Sequence, residues 1–265
     1  MDTAIRRITF SSDMHIEIDE KSGFCFGVVK AITKAEQSLS ELGRVCSLGD
    51  IVHNRMEVLR LEHLGLRTVT YADMPSLSGR RLFIRAHGEP PSTFRRAAEL
   101  GIHVIDATCP VVAQLQSKVV AAHKRMDEVN GQVVILGKRG HAEVVGLTGQ
   151  IDEPTIVVEN EDDLQTIDFT RPVFFLSQTT QSVDLFWRLA EKMRERLGDE
   201  RMLTVDDTIC RRVSNRERNL SSFAERFDVV IFVCGKQSSN GKVLFDVCRR
   251  ANSRAYNIEE ESELR

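Results

Sequence analysis

The chain has 265 residues, 42% of them hydrophobic and 28% charged, with a formal net charge of -3. This is the make-up of a globular protein that buries a real core, long enough for two domains or three small ones. The negative balance argues against broad nucleic-acid binding. No apolar run reaches the length of a membrane span, and no charged-then-apolar leader pattern opens the chain. Six cysteines are too sparse for a disulfide scaffold and fit a reducing cytoplasm, where spaced cysteines more often serve metal or catalysis.

Short β-branched runs alternate with amphipathic stretches. Helical periodicity covers 28–42, then a strand is expected over 81–86, a helix over 91–100 and a strand over 103–106. A helix over 111–129 follows, with strands over 132–136, 155–158 and 173–176, a helix over 183–197, a strand over 229–233 and a helix over 243–251. Such alternation predicts an α/β protein with small parallel sheets and helices on both faces, its active groups at the carboxyl ends of the strands.

Cys25, Cys109 and Cys210 each follow a short apolar run and a turn, and each opens a helix-like segment. After each comes a strand ending in Gly: Gly49, Gly137 and Gly235, which lie 24, 28 and 25 residues beyond their cysteines. Four residues past each Gly stands His53, His141 or Ser239. A third motif follows in the first two units, at His87 and at Thr179. The pattern is a threefold repeat, with lobes expected over 14–106, 107–206 and 207–265. Three lobes offering one thiolate each would hold an iron–sulfur centre with one iron left free for chemistry. The third unit stops 30 residues after its Gly, where the first two use 38 and 42 to reach their third motif, so the third lobe reads as truncated at its C-terminus.

A lone cysteine is usually a small buried hydrophobe; three in matched positions are a ligand set. Cys46 and Cys234, expected inside strands, and Cys248, in a helix, are core or bystander residues. Paired zinc-type spacing is absent. His53, His87 and His141 stand at strand-end loops beside Gly and read as anion ligands. Ser238, Ser239 and Asn240 add hydroxyls and an amide at a helix start, where backbone N–H groups favour a diphosphate. His15, His63, His103 and His123 lack this context. The phosphate-loop pattern of nucleotide triphosphatases is missing. Glu143 alone would be an exposed acid at a helix start; beside a metal centre it is a proton donor, with Thr179 as relay. The basic stretches 211–218 and 249–254 are expected to be solvated helix faces, and 259–263 a loop or frayed end. The first twelve residues have no assigned role.

The motifs Gly23-Phe24-Cys25-Phe26-Gly27, Val52-His53-Asn54, Ala86-His87-Gly88, Thr108-Cys109-Pro110, Gly140-His141-Ala142-Glu143, Ser177-Gln178-Thr179-Thr180, Thr208-Ile209-Cys210 and Ser238-Ser239-Asn240 occur in this order. In them the chain resembles the 4-hydroxy-3-methylbut-2-enyl diphosphate reductase family. The resemblance implies a cloverleaf of three α/β lobes around one 4Fe–4S cluster with Cys25, Cys109 and Cys210 as ligands. It implies a two-electron reductive dehydroxylation giving isopentenyl and dimethylallyl diphosphate, the last step of the methylerythritol phosphate pathway. His53, His87, His141, Thr179, Ser238, Ser239 and Asn240 would bind the substrate, and Glu143, Thr179 and His141 would handle the proton. Electrons would come from a ferredoxin or flavodoxin, since no flavin or nicotinamide motif is present, and the protein would be a cytoplasmic monomer. Nothing in this chain matches the family's small-residue segment near the C-terminus, whose serine also binds the diphosphate. The competing expectation is a truncated, inactive or regulatory iron–sulfur protein of the same fold; the presence of both Glu143 and Thr179 favours the enzyme.

Overall fold

A computed structural model describes residues 14–264; the stretch 1–12, given no role above, lies outside the described residues. Parallel strands joined by helices build three separate sheets. The first unit runs α1 (Phe26–Leu42), β1 (Val45–Leu48), α2 (Arg55–His63), β2 (Leu66–Val69), β3 (Arg81–Ile84), α3 (Pro91–Glu99) and β4 (His103–Asp106). The second runs α4 (Pro110–Asp127), β5 (Gln132–Leu136), α5 (Ala142–Thr148), β6 (Ile156–Val158), β7 (Val173–Ser177), α6 (Val183–Leu197) and β8 (Leu203–Val205). The third holds α7 (Arg211–Ala224), β9 (Val230–Val233), α8 (Ser239–Ala251) and β10 (Ala255–Ile258).

The repeat reappears as topology. The first sheet has the order β2-β1-β3-β4 and the second β6-β5-β7-β8, which is the same winding. The third pairs only β10 with β9, matching the first two positions of that order. All pairings are parallel. The three cysteine-headed helices and the three glycine-ended strands therefore occupy equivalent places.

Burial explains why the strands read as apolar runs. In β3, Phe83 enters a cluster with Ala35, Leu39, Val58 and Leu61, while Leu82 and Ile84 enter another with Met74, Leu77 and Ala97. In the second sheet Phe175 stacks on Phe186, with centroids 4.6 Å apart, and Ile135 and Leu176 face Leu115, Val119 and Leu147. Both sheets are thus covered on both faces, as parallel sheets require. The third sheet has one cluster, formed by Leu220, Ala224, Val230, Leu244, Cys248 and Ala255. The edge of β9 away from β10 has no strand partner among the described residues, and Val233 remains 62% exposed.

Several expectations are corrected. The strand over 81–86 ends at Ile84, because the chain turns there: the Gly88 amide donates to the Arg85 carbonyl at 3.0 Å. Short β2, β8 and β10 lack a clear apolar run; β10 buries Ala255 and Ile258 and exposes Tyr256 and Asn257. Cys234 lies one residue past β9, not inside it, and its thiol donates to Asn257 Oδ1 at 3.3 Å. The acidic end is a capped 3-10 turn over Glu261–Glu263, tied down by a Lys236–Glu263 pair at 3.2 Å. The basic stretches 211–218 and 249–254 do keep Arg211, Arg212, Arg218, Arg249, Arg250 and Arg254 exposed, and two of their arginines also make backbone cross-links. Arg249 donates to the Ala255 carbonyl at 2.7 Å, and Arg216 to the Gly23 carbonyl at 2.7 Å, fastening α7 to the loop before Cys25.

Gly235 joins the third unit to the first. A Cβ there would lie 1.9 Å from the His53 carbonyl oxygen, so the β9–α8 loop rests directly on the His53 backbone. Gly235→Ala is expected to lower stability by about 1–3 kcal/mol, the usual cost of forcing atoms into a filled contact. The urea midpoint measures this; an unchanged midpoint would show that the two loops do not touch in solution.

Candidate active site

Cys25, Cys109 and Cys210 are the N-cap residues of α1, α4 and α7, all with extended backbone. None uses its side chain as a cap. The helix N-termini thus present their first amides and positive dipole ends towards the thiols. Burial pushes the Cys109 thiol up; the Val111 and Val112 amides pull it down, and the neighbouring Cys25 and Cys210 push it up again. That mutual repulsion is the mark of three thiols gathered together. A Cβ on Gly27 would lie 2.7 Å from Cys109 Sγ and 4.0 Å from Cys25 Sγ, so Gly27 keeps clear the space between the two sulfurs. All six cysteines are free thiols. Cys46 and Cys248 belong to apolar cores. The donor set therefore fits an iron–sulfur cluster: soft thiolates, one from each unit, with no carboxylate among them.

Two backbone hydrogen bonds tie these helix starts to the second half of the site. The Cys109 amide donates to the Ala86 carbonyl at 3.0 Å, beside His87. The Cys210 amide donates to the Thr179 carbonyl at 2.9 Å.

The structure brings His53, His87 and His141 into one triangle, with ring centroids 5.0, 5.4 and 5.2 Å apart. They come from the loops after β1, β3 and β5. His141 caps α5: its Nδ1 accepts from the Glu143 amide at 3.1 Å and faces Gln178 Nε2 at 3.2 Å. With Nδ1 accepting, the His141 proton is assigned to Nε2. His53 Nε2 and His87 Nδ1 are buried without a partner, so both are available to a ligand. Burial is the main cause that lowers all three pKa values, with Arg85 adding in each case; His141 falls to about 4. A triangle of neutral imidazoles with unused ring nitrogens is a cage with the chemistry to take an anion, and would hold it more strongly on taking up protons.

Glu143 is only 2% exposed and lies in the first turn of α5, not on the surface that a lone acid at a helix start would prefer. Its Oε1 accepts from the Thr179 amide at 2.7 Å, and its Oε2 lies 2.8 Å from Thr179 Oγ1. Burial raises its pKa to about 7, and the Thr179 hydrogen bonds offset part of that rise. At that value about half of the Glu143 carboxyls keep a proton at neutral pH, next to the Thr179 hydroxyl.

In the third unit Ser238 caps α8 by accepting from the Gly241 amide at 3.0 Å, and Ser239 begins the helix. Asn240 Oδ1 is buried without a partner. The Gly235 contact sets this loop against His53. The other histidines stay apart from the cage: His123 faces Thr155 Oγ1 at 2.9 Å and His63 faces the Leu59 carbonyl at 2.7 Å, while His15 and His103 are exposed. Two contributors escaped the sequence reading. Gln178, inside the quoted Ser-Gln-Thr motif, orients His141; Arg85, two residues before His87, looked like the end of a strand.

This is a three-lobed α/β protein with its polar groups gathered where parallel strands end and helices begin. Comparison with known proteins narrows the class: the chain belongs to the LytB protein family, which it matches over residues 16–265. It is 47% identical over 251 residues to the 4-hydroxy-3-methylbut-2-enyl diphosphate reductase of Parabacteroides distasonis, covering 95% of this chain and 87% of that one. It is 48% identical over 244 residues to the protein of the same name from Porphyromonas gingivalis, covering 92% and 84%. A solved (E)-4-hydroxy-3-methyl-but-2-enyl diphosphate reductase, described as the terminal enzyme of the non-mevalonate pathway, superposes with a TM-score of 0.69 at 33% identity, over 93% of this chain and 86% of that one. The Plasmodium falciparum E-1-hydroxy-2-methyl-but-2-enyl-4-diphosphate reductase superposes at 0.81 with 27% identity, over 91% and 75%.

The low histidine pKa values carry a sign that can be checked. An anion in the cage raises them, so binding takes up protons and tightens as pH falls. Sulfate, which does not titrate in this range, should bind more tightly as pH goes from about 7 to about 5, and His141→Asn should flatten that dependence. Affinity independent of pH in the unaltered protein would contradict the neutral cage.

Proposed function

We propose that this chain reduces 4-hydroxy-3-methylbut-2-enyl diphosphate to isopentenyl and dimethylallyl diphosphate, the closing step of the methylerythritol phosphate pathway. Membership of the family and the names of its close relatives support the activity. The observation that carries the mechanism is the buried Glu143–Thr179 pair, which a protein that merely stored a cluster would not need. Cys25, Cys109 and Cys210 hold one 4Fe–4S cluster. When bound, the cluster supplies electrons and a Lewis-acidic iron that lacks a cysteine ligand.

The remaining work falls to the protein. His53, His87, His141, Ser238, Ser239 and Asn240 take the diphosphate through ring N–H, hydroxyl and amide groups and the α8 N-terminus. Thr179 orients the substrate hydroxyl. Glu143 passes its proton from Oε2 to Thr179 Oγ1 and on to that hydroxyl, which leaves as water when the C–O bond breaks; His141 holds Glu143 through its amide. Two electrons and two protons enter in all.

A ferredoxin or flavodoxin delivers the electrons to a monomeric protein. Among the described residues no helix is long and apolar enough to cross a membrane. Six free thiols spread along the chain support a reducing cytoplasm as its place of work. We set the lobe boundaries at 14–106, 107–206 and 207–265, because each sheet and the helices packed on it fall within one of these stretches.

Glu143→Gln tests the reading. Turnover should fall about a hundredfold, the scale of general acid catalysis, while the visible absorption of the cluster stays as it was. In the unaltered enzyme kcat/KM should decline as pH rises through about 7, where Glu143 loses its proton; in the variant that limb should vanish. Turnover unimpaired in the variant would remove Glu143 as the acid.

A further inference from the structure

Behind the histidine triangle lies a buried polar group that the mechanism does not use. Glu89 is 3% exposed. Its Oε2 accepts from the Tyr71 hydroxyl and, at 3.3 Å, from Thr93 Oγ1. Its Oε1 faces Arg85 Nη2 at 4.0 Å. Arg85 Nη1 reaches the Asp50 carbonyl at a long 3.4 Å, and Arg85 Nε is buried with no partner at all. The guanidinium lies flat on Gly49, where a Cβ would come within 2.5 Å of Nη1, 2.7 Å of Cζ and 2.9 Å of Nη2. Gly49 has φ +75, which only glycine adopts without strain, so the slot for the arginine is built into the turn.

Arg85 thus bridges the loop that carries His53 and the loop that carries His87, and it does so with too few bonds. A largely buried guanidinium with one unpaired N–H and two distant partners is costly unless an anion completes its surroundings. Glu89 does this poorly: one oxygen is committed to Tyr71 and Thr93, and burial favours its neutral form. Positive charge is therefore left over beside the cage. If Arg85 were only a surface residue pinned by Glu89, neither its buried Nε nor the slot over Gly49 would be accounted for.

Resting on the diphosphate assignment made above, we propose that Arg85 sets the field of the anion site: held over Gly49 beside Glu89, it draws the diphosphate into the cage by its charge. It acts through the histidines and through the field it adds there.

The test uses inorganic diphosphate as the probe, with its affinity for the anaerobically purified holoprotein measured by calorimetry at several salt concentrations. Arg85→Met keeps the length of the side chain and removes the charge. It should weaken binding by about tenfold or more, the range of hydrogen bonds to charged groups, and reduce the salt dependence, with the visible absorption of the cluster unchanged. Arg85→Lys keeps the charge without the fork and should bind within about threefold of the unaltered protein. Arg85→Met binding within that same threefold would overturn the proposal, as would equal losses in both variants, which indicate a packing role only. Should Arg85→Met fail to accumulate with its cluster, Arg85→Lys decides alone: near-normal affinity supports the role of charge and a large loss refutes it. Failure of the unaltered protein to bind diphosphate would instead overturn the site assignment, and this proposal with it.

Discussion

Two backbone hydrogen bonds keep the halves of the site together. The Cys109 amide holds Ala86, and with it His87; the Cys210 amide holds the Thr179 carbonyl, and with it the partner of Glu143. In each case the first amide of a cysteine-headed helix reaches across to the end of a strand in the preceding unit. The consequence is geometric. The thiols on one side and the anion and proton groups on the other cannot drift apart without breaking a buried backbone bond, which proteins rarely leave unpaired. Gly27 and Gly235 serve the same end by absence, since a methyl at either position would occupy space that a sulfur or a carbonyl already fills.

Burial sets the charge state on both sides of this seam. Desolvation disfavours whichever form is ionised. It therefore holds the three histidines neutral and lifts the Glu143 pKa to about 7, so that near neutral pH about half of the Glu143 carboxyls keep their proton. One cause thus produces both the neutral imidazoles and the raised carboxyl that the proposed function requires. Its effect on stability differs in sign between the two: at the histidines, whose folded pKa values are lowered, stability is gained as pH rises, and at Glu143 it is lost. Glu143 has its folded pKa raised, so its favourable contribution is present at low pH and is lost between the ordinary carboxyl range and about 7. Holding the acid ready for use costs some stability at the pH of use.

Much of this was legible in the residues themselves. The cysteines, the glycine-ended strands and the histidines recur at similar spacing because each unit repeats one strand-to-helix turn, and a turn of that kind leaves its mark locally. The helix over 183–197 was readable to the residue because both its ends are marked, by Ser182 as N-cap and Gly198 in the left-handed region. The short strands β2, β8 and β10 were not, since a strand of three or four residues with mixed faces carries little periodic signal. Arg85 and Glu89 were missed for a different reason. Their meaning depends on Gly49 and Tyr71, which meet them only after folding, and no spacing rule connects those positions. Arg216 misleads in the same way, because an arginine on an exposed helix face and one that ties two units together look alike in sequence.

The proposed function depends above all on one thiol from each unit meeting the others at a single cluster. Iron and sulfide analysis with visible absorption on the anaerobically purified protein tests it most directly, with each of the six cysteines changed to serine in turn. Cys25→Ser, Cys109→Ser and Cys210→Ser should each lose the cluster or leave it labile, while Cys46→Ser, Cys234→Ser and Cys248→Ser should keep the full iron content. Retention of iron in any of the first three, or its loss in one of the last three from a protein that is otherwise folded, would contradict it.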